Sequence, residues 1–198
     1  RKSLDDFLRA FHGAPSGPPQ VKPYTFENLT EVLNTIVPYD WNRFFNERLN
    51  RTGTDRAPLG GVEAGGYRLT YTDRPSEAQR AREQILRNVN VAYSIGLQLT
   101  EEGSVVDVFP EMVAAKAGIG PGMKIVAVNG RQYSGDVLRG AIRDARSGGA
   151  LELLVQNGKA FTTYKLNYRD GERYPILERN GQSALLDEIL KPLSPATR

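Results

Sequence analysis

The sequence predicts an α+β fold in which an N-terminal helical segment precedes a small β-barrel or sandwich that carries two helices. Apolar residues recur every three or four positions through roughly the first 50 residues, and short apolar segments separated by Asn-Gly turns follow from about residue 88. Of the 198 residues, 39% are hydrophobic and 25% are charged, which is the composition of a globular protein with a buried core.

The charge and residue content exclude several classes of function. The 26 basic and 23 acidic residues give a net charge of +3 that is spread along the chain, whereas nucleic-acid binding needs a concentrated basic surface. No run of 18 apolar residues is present, so we expect no insertion into a membrane. The absence of cysteine excludes disulfides and thiolate metal sites.

Three short amphipathic helices are predicted at the start of the chain. Ser3 is followed three positions later by an acidic residue, which favours a capped helix over 1–12 that ends in the Pro/Gly-rich loop 13–23. A second helix is predicted over 25–37, and Asp40 is placed to cap a third. Their apolar faces comprise Leu4, Phe7, Leu8 and Phe11; Phe26, Leu29, Val32, Leu33 and Ile36; and Trp41, Phe44, Phe45 and Leu49.

These aromatic side chains need a partner surface that about fifty residues do not supply. We therefore interpret residues 1–58 as the closing helices of a larger helical domain. The chain begins at Arg1 inside a helical pattern and without an initiating Met, as expected for a piece of a longer protein.

Residues 59–92 are expected to form a connector. The stretch 54–66 is rich in glycine, and apolar and polar residues alternate from Tyr67 to Tyr71, which predicts a short strand. The heavily charged stretch 77–88 is interpreted as a solvated helix or linker.

From Asn88 onwards the sequence is typical of short strands joined by turns. Asn129-Gly130 and Asn157-Gly158 are hairpin-type dipeptides, and Ser134 is placed to cap a helix. The predicted strands span 89–99, 104–109, 123–130, 150–158, 161–168 and 173–179, and the predicted helices span 112–119, 134–149 and 184–190.

Four motifs follow one another within residues 93–168. They are Tyr93-Ser94-Ile95-Gly96-Leu97, Ala114-Ala115-Lys116-Ala117-Gly118-Ile119, Gly120-Pro121-Gly122-Met123-Lys124-Ile125 and Val128-Asn129-Gly130. In this order they resemble a PDZ domain of the bacterial type. The resemblance implies that backbone N–H groups of the first motif receive a terminal carboxylate, while the next strand edge pairs with an extended peptide. The sequence departs from the pattern at Met123, where an acidic residue is usual, and at Gly135, near which the family often has a histidine.

The predicted peptide-binding residues lie in the first motif, the strand after it and the later helix. A glycine in the loop allows several N–H groups to point at one anion. For Leu138 and Ile142, four residues apart, a purely core role stays open. Arg139 is expected to be exposed, and either to bind a peptide or to be solvated. The complete set is Tyr93, Ser94, Ile95, Gly96, Leu97, Leu99, Leu138, Arg139 and Ile142.

A wider resemblance covers nearly the whole chain. The stretches SLDDFLRAF, PYTFENLTEVLNTIVPYDWNRFFNERL and AGGYRLTYTD, ahead of the PDZ-like segment, are similar to the C-terminal part of the glycyl aminopeptidase family of zinc metallopeptidases. The resemblance implies that 1–58 ends a thermolysin-like catalytic domain, that 93–168 is a PDZ domain and that 169–198 adds a strand and a helix. It also implies a zinc site upstream of Arg1 and a periplasmic or secreted bacterial protein.

The chain itself lacks the residues of such a zinc site. Peptidases of this type use an HExxH helix and a further carboxylate, whereas this sequence has one histidine, His12, and no HExxH. His12 is interpreted as a helix-end residue that meets the helix dipole. The adjacent pairs Asp5-Asp6 and Glu101-Glu102 point to different faces and are interpreted as surface residues.

The sequence therefore predicts a module that binds peptide segments or protein C-termini by strand addition, without a cofactor or a catalytic site of its own. The resemblance further implies a partner, the upstream catalytic domain of the same chain, and a parent protein that is a zinc aminopeptidase. The alternative is a structural or substrate-positioning subdomain of the peptidase with no independent ligand.

Overall fold

A computed structural model describes residues 2–13, 16–50, 59–181 and 185–192. The chain divides into two compact units, Arg1–Pro58 and Leu59–Arg198. Within the described residues, no helix combines the length and the apolar character needed to cross a membrane.

The first unit is helical. Thr25 caps its second helix by accepting the N–H of Asn28 at 3.3 Å, and Asp40 caps the third by accepting the N–H of Arg43 at 2.9 Å. The third helix is shorter than its apolar pattern indicates, because the last turn widens into a π-helical segment. The elements are α1 (Leu4–His12), α2 (Phe26–Ile36), α3 (Trp41–Phe45) and the π-helical segment Asn46–Asn50.

Most described apolar side chains of this unit stay at least partly exposed. Among its described residues only Phe7 and Thr30 are buried, although aromatic rings pack in pairs such as Phe26 and Phe45, whose centroids lie 5.6 Å apart. Leu49 remains 73% exposed. The unit therefore presents an apolar surface that its own described residues do not cover.

The second unit combines helices with three antiparallel sheets, and none of these closes into a barrel within the described residues. The sheet orders are β1-β9, β2-β3-β4 and β6-β5-β7-β8. The helices are α4 (Gly60–Ala64), α5 (Glu77–Leu86), α6 (Val113–Lys116), α7 (Gly135–Ala145) and α8 (Leu185–Leu190). The strands are β1 (Tyr67–Thr72), β2 (Asn88–Val91), β3 (Leu97–Thr100), β4 (Val105–Val108), β5 (Lys124–Val128), β6 (Arg131–Gln132), β7 (Glu152–Asn157), β8 (Ala160–Lys165) and β9 (Tyr174–Arg179).

The α+β class agrees with the sequence prediction of a small barrel or sandwich, but the described strands do not close into a barrel. The core draws on the two larger sheets together with α6 and α7. The pairing of β1 with β9 joins the connector 59–92 to the C-terminal segment 169–198. The largest fully buried side chains include Ile95, Leu97, Leu99, Ile119, Ile125, Leu138, Ile142 and Leu153.

Two segments differ in kind from their predicted structure. The predicted strand 89–99 is in fact a hairpin, β2 and β3, because the chain turns through Gly96 with φ +88°. Part of the glycine-rich stretch forms the short helix α4, whereas residues 54–58 lie outside the described residues. The predicted helix at 184 begins in the described chain at Leu185.

Tyr168 supplies a test of core packing at alkaline pH. Its side chain is 6% exposed, its hydroxyl donates to the carbonyl of Gly171 at 2.8 Å, and burial, then the charge of Asp170, raise its pKa to about 12. A group whose pKa rises on folding stabilises the fold below its unfolded value and loses this contribution as the pH rises to the folded value. The unfolding free energy should therefore fall between about pH 10, the unfolded pKa of tyrosine, and about pH 12.

Tyr168→Phe is expected to lower stability at pH 9 through the lost hydrogen bond and to make the alkaline decline shallower, as measured by urea unfolding at several pH values. The matched change Tyr39→Phe, at a residue that is 58% exposed, should leave the decline unaltered. An equally steep decline in Tyr168→Phe would contradict this account.

Candidate functional site

The loop between β2 and β3 holds three convergent backbone donors. The N–H groups of Ser94, Ile95 and Gly96 all donate to the carbonyl oxygen of Val91, at 3.1, 3.1 and 3.2 Å. Gly96 is required here on two counts: its φ is +88°, and a Cβ would lie 2.2 Å from Cβ of Met112. The donors that sequence reasoning assigned to a ligand carboxylate thus bind a carbonyl of the same chain.

Strand β2 occupies the sheet edge at which an external peptide was expected. It pairs antiparallel with β3, with Val89 opposite Leu99 and Val91 opposite Leu97, while β4 pairs with the other edge of β3. Val89 and Val91 are 8% and 2% exposed, because the alternation in Asn-Val-Asn-Val turns both valines into the core. The expected open edge is therefore absent from this conformation.

β2 also packs against the start of α7. A Cβ added to Gly135 would lie 2.8 Å from Cγ2 of Val89, so the strand and the first turn of the helix are in close contact. The position near which the family often has a histidine thus carries a glycine that makes room for the chain's own strand.

Most of the predicted peptide-binding residues belong to the core. Ser94 is 1% exposed, and its hydroxyl accepts the N–H of Arg173 at 3.0 Å. Tyr93 is 43% exposed, and its ring lies beside Tyr71 and Phe109 with centroids 6.1 and 6.4 Å away. Among the predicted peptide-binding residues, the side chains with 0% exposure are Ile95, Leu97, Leu99, Leu138 and Ile142.

Arg139 is not the exposed residue that the sequence predicts. Its side chain is 14% exposed and forms ion pairs with Glu83 at 2.6 Å and Glu172 at 3.5 Å. Its guanidinium also donates to the hydroxyl of Tyr174. Burial lowers the pKa of Arg139, but Tyr174, Glu83 and Glu172 outweigh it and leave the pKa above its usual value. The helical spacing that exposes this side chain in an isolated helix is overridden by α5 and the segment before β9.

Glu172 is the other buried member of this network. Its side chain is 4% exposed, and it accepts hydrogen bonds from Arg139, Arg143 and Tyr174. Burial, then the hydrogen bond with Glu172, raises the pKa of Tyr174 well above its ordinary value. The network joins α7 to the segment that leads into β9.

Glu83 links this network to β2. Its Oε1 accepts the N–H of Asn90 at 2.8 Å as well as the guanidinium of Arg139 at 2.6 Å. Because Asn90 lies on the edge strand, the carboxylate satisfies an N–H that a further strand would otherwise bind. The charged stretch 77–88, interpreted from sequence as a solvated helix or linker, therefore forms α5, which binds β2 through Glu83.

A cavity of about 330 Å³ lies between α5, the polar face of β2 and β3, and the start of β9. Oδ1 of Asn88 is buried and has no hydrogen-bond partner among the described residues. Sequence reasoning missed this cavity, although the Asn-Val-Asn-Val alternation already separates a polar from an apolar face. The lining residues are Gln79, Arg82, Glu83, Leu86, Asn88, Asn90, Ala92, Tyr93, Gln98, Phe109, Arg173, Tyr174 and Pro175.

The described residues do not fit the zinc site that the family resemblance implies for the parent protein. No group of three or more His, Asp or Glu side chains in the described ranges lies close enough together to hold a metal ion. His12 is in the last turn of α1, where its ring packs edge-on against Phe11 at 4.9 Å.

Two glycines of α7 provide a matched test of the contact between β2 and this helix. Gly135→Ala should lower the unfolding free energy by about 1–3 kcal/mol, because the new methyl group overlaps Val89. Gly140→Ala is the control, since a Cβ there meets only Nη2 of Arg143, at 3.8 Å, and should stabilise the helix by about 0.5–1 kcal/mol. Urea unfolding measures both, and stabilisation by both changes would argue against the close contact.

The buried ion network supplies a second test. Glu172→Gln should lower the unfolding free energy by about 2–4 kcal/mol, since it leaves the buried Arg139 with Glu83 as its one remaining carboxylate. The control Glu178→Gln removes an exposed pair with Arg68, whose side chains are 43% and 62% exposed, and should cost less than about 1 kcal/mol. Equal losses in thermal or urea unfolding would show that burial does not strengthen the network.

Comparison with known proteins establishes similarity of fold. No protein-family model and no curated protein matches the chain. Among solved structures, the chain is similar to an aminopeptidase N family protein from Idiomarina loihiensis, with a TM-score of 0.50 and 18% identity over 82% of this chain. It spans only 28% of the length of that protein. It also matches the HtrA3 PDZ domain bound to a phage-derived ligand (FGRWV), with a TM-score of 0.29 and 17% identity over 57% of this chain and 92% of that one. At 18% identity, the first likeness shows that this chain shares its fold with part of an aminopeptidase N family protein.

Proposed function

We propose that residues 59–198 form a PDZ-like, non-catalytic module that positions peptide substrates within a larger zinc aminopeptidase. In this proposal β2 of the same chain, and not an external peptide, occupies the donors of loop 92–96, an arrangement called here the closed loop. One observation carries the proposal: the N–H groups of Ser94, Ile95 and Gly96 are already bound to the carbonyl of Val91. A free C-terminus has no vacant donors there unless β2 leaves.

The free energy gained by burying the side chains of β2 favours the closed loop. Burying a valine side chain contributes about 1.5–3 kcal/mol, and both Val89 and Val91 are buried. The strand is tethered to its site through loop 92–96, which gives it an effective concentration of about 1 mM or more. A peptide that an empty groove would bind at about 10 µM would then require about 1 mM.

The first unit supports a larger parent protein. Phe26 is 39% exposed, Tyr39 is 58% exposed and Leu49 is 73% exposed, so the helices present apolar side chains suited to a further domain. The motif order resembles the glycyl aminopeptidase family, and the structural relative is named as an aminopeptidase N family protein, of which this chain spans 28%. In this proposal the zinc site and the hydrolytic step belong to residues outside the chain.

A second candidate function is the capture of C-termini by displacement of β2. The arrangement favours it because β2 is held as a ligand strand would be, with alternate side chains buried and its last carbonyl on three N–H groups. The two candidates differ in whether an external peptide with a free C-terminal carboxylate reaches the N–H groups of Ser94, Ile95 and Gly96 in the intact protein.

A peptide titration followed by ¹⁵N NMR separates them. The probe is Arg-Asn-Val-Asn-Val, a copy of 87–91, as the free acid and as the amide. In the wild-type chain we expect the amide resonances of Ser94, Ile95 and Gly96 to stay unchanged below about 1 mM of either peptide. Shifts caused by the free acid and not by the amide would contradict the closed loop and establish the second candidate.

Val89→Ala serves as the positive control for this titration. It removes buried surface from β2 without altering the loop, so the free acid should reach the three amides at concentrations about tenfold lower than in the wild type.

A further inference from the structure

We infer that the cavity beside β2, named here the amide cavity, binds an extended peptide segment that carries an acidic side chain. The inference rests on the proposed substrate-positioning function and supplies its site. The amide cavity lies on the polar face of the hairpin; its lining includes Ala92 and Tyr93 of the loop but not Ser94, Ile95 or Gly96, the donors that bind Val91. It is therefore available while the closed loop stays intact.

The spacing of its carboxamides matches an extended peptide. Asn88 and Asn90 lie two residues apart on β2 and share one face, so their side chains repeat at about 6.6–6.8 Å, as do alternate residues of an extended chain. Gln98 stands opposite Asn90 on β3. Each carboxamide offers both a donor and an acceptor, which complement the C=O and N–H of a peptide group.

These carboxamides have unused hydrogen-bonding capacity. Oδ1 of Asn88 is buried without a partner in the described part of the chain. Asn90 uses Oδ1 to accept the N–H of Ala92 at 3.0 Å, which leaves its NH₂ group for a ligand. A buried acceptor without a donor costs about 1–3 kcal/mol, which favours rotation of the Asn88 carboxamide towards the cavity, where a ligand N–H can reach its oxygen.

The charge at the cavity favours an acidic ligand. Glu83 is the acidic residue of the lining, and its charge is already paired with Arg139. Arg82 has no ion-pair partner among the described residues. The guanidinium carbon of Arg173 lies 4.2 Å from the ring centroid of Tyr71, and its Nη1 lies 3.7 Å from a carboxylate oxygen of Asp170. Two guanidinium groups therefore border the cavity, which suits a carboxylate.

Two half-exposed rings complete the lining. Tyr93 is 43% exposed and Phe109 is 38% exposed, and their centroids lie 6.4 Å apart. They offer a surface for one apolar or aromatic side chain of the peptide. A saccharide also uses rings and carboxamides, but a neutral saccharide neither follows the two-residue repeat nor engages the guanidinium groups.

The test uses the complete chain and the blocked peptide acetyl-Ala-Asp-Ala-Phe-Ala-amide, which has no terminal carboxylate for the loop. We expect the side-chain NH₂ resonances of Asn88, Asn90 and Gln98 to shift on titration, with no change at the main-chain amides of Ser94, Ile95 and Gly96. Replacing Asp by Asn in the peptide should weaken binding about fivefold.

Matched variants locate the contacts. Arg82→Gln should weaken binding of the acidic peptide about fivefold, whereas Arg80→Gln, an exposed residue of the same helix outside the cavity lining, should leave it unchanged. Gln98→Leu should weaken it about two- to tenfold through the lost hydrogen bonds, whereas Gln132→Leu on the exposed strand β6 should have no effect.

Several outcomes would overturn the inference. These are an absence of NH₂ shifts at millimolar peptide, equal binding of the Asp and Asn peptides, equal effects of Arg82→Gln and Arg80→Gln, or tighter binding of maltotriose than of the acidic peptide. These outcomes do not contradict the closed loop, which is tested separately at the amides of Ser94, Ile95 and Gly96. Conversely, a free-acid response at the loop would contradict the proposed function. Because displacement of β2 also moves Asn88 and Asn90, the inference is judged by the blocked peptide alone, which has no terminal carboxylate to displace the strand.

Discussion

The three hydrogen bonds from Ser94, Ile95 and Gly96 to the carbonyl of Val91 organise the second unit. They turn the chain so that β2 runs back along β3 and both of its valines enter the core. The same turn places Asn88 and Asn90 on the opposite face, where they line the amide cavity. One set of backbone contacts therefore closes the expected ligand site and places two asparagines at the amide cavity on the opposite face.

The buried ion network holds this arrangement from outside the sheet. Glu83 binds both the N–H of Asn90 and the guanidinium of Arg139, and Glu172 joins Arg139 to the segment before β9. Each charge in the low-dielectric interior has an opposite partner, which offsets the cost of burying it. The helix α5, the strand β2 and the start of β9 are thereby fixed around one cavity.

Much of the secondary structure follows from local sequence signals. The caps at Thr25, Asp40 and Ser134 start helices where hydrogen-bonding side chains precede apolar faces, and Asn129 adopts the positive φ that its Asn-Gly turn requires. The sequence of segment 89–99 does not distinguish one strand from two, because an apolar run with one glycine is compatible with either. The turn at Gly96 depends on a tertiary contact, because Met112 packs against this glycine and leaves no room for a side chain.

The sequence by itself determined the α+β class, most element positions, the lack of an HExxH helix in this chain and the convergent amides around Gly96. Only the tertiary structure decided what those amides bind, because a carbonyl of the same chain and a ligand carboxylate satisfy the same donors. It also decided the burial of Arg139 and the shape of the amide cavity. Both depend on contacts between residues far apart in sequence, such as Glu83 with Arg139 and Ser94 with Arg173, which local periodicity does not encode.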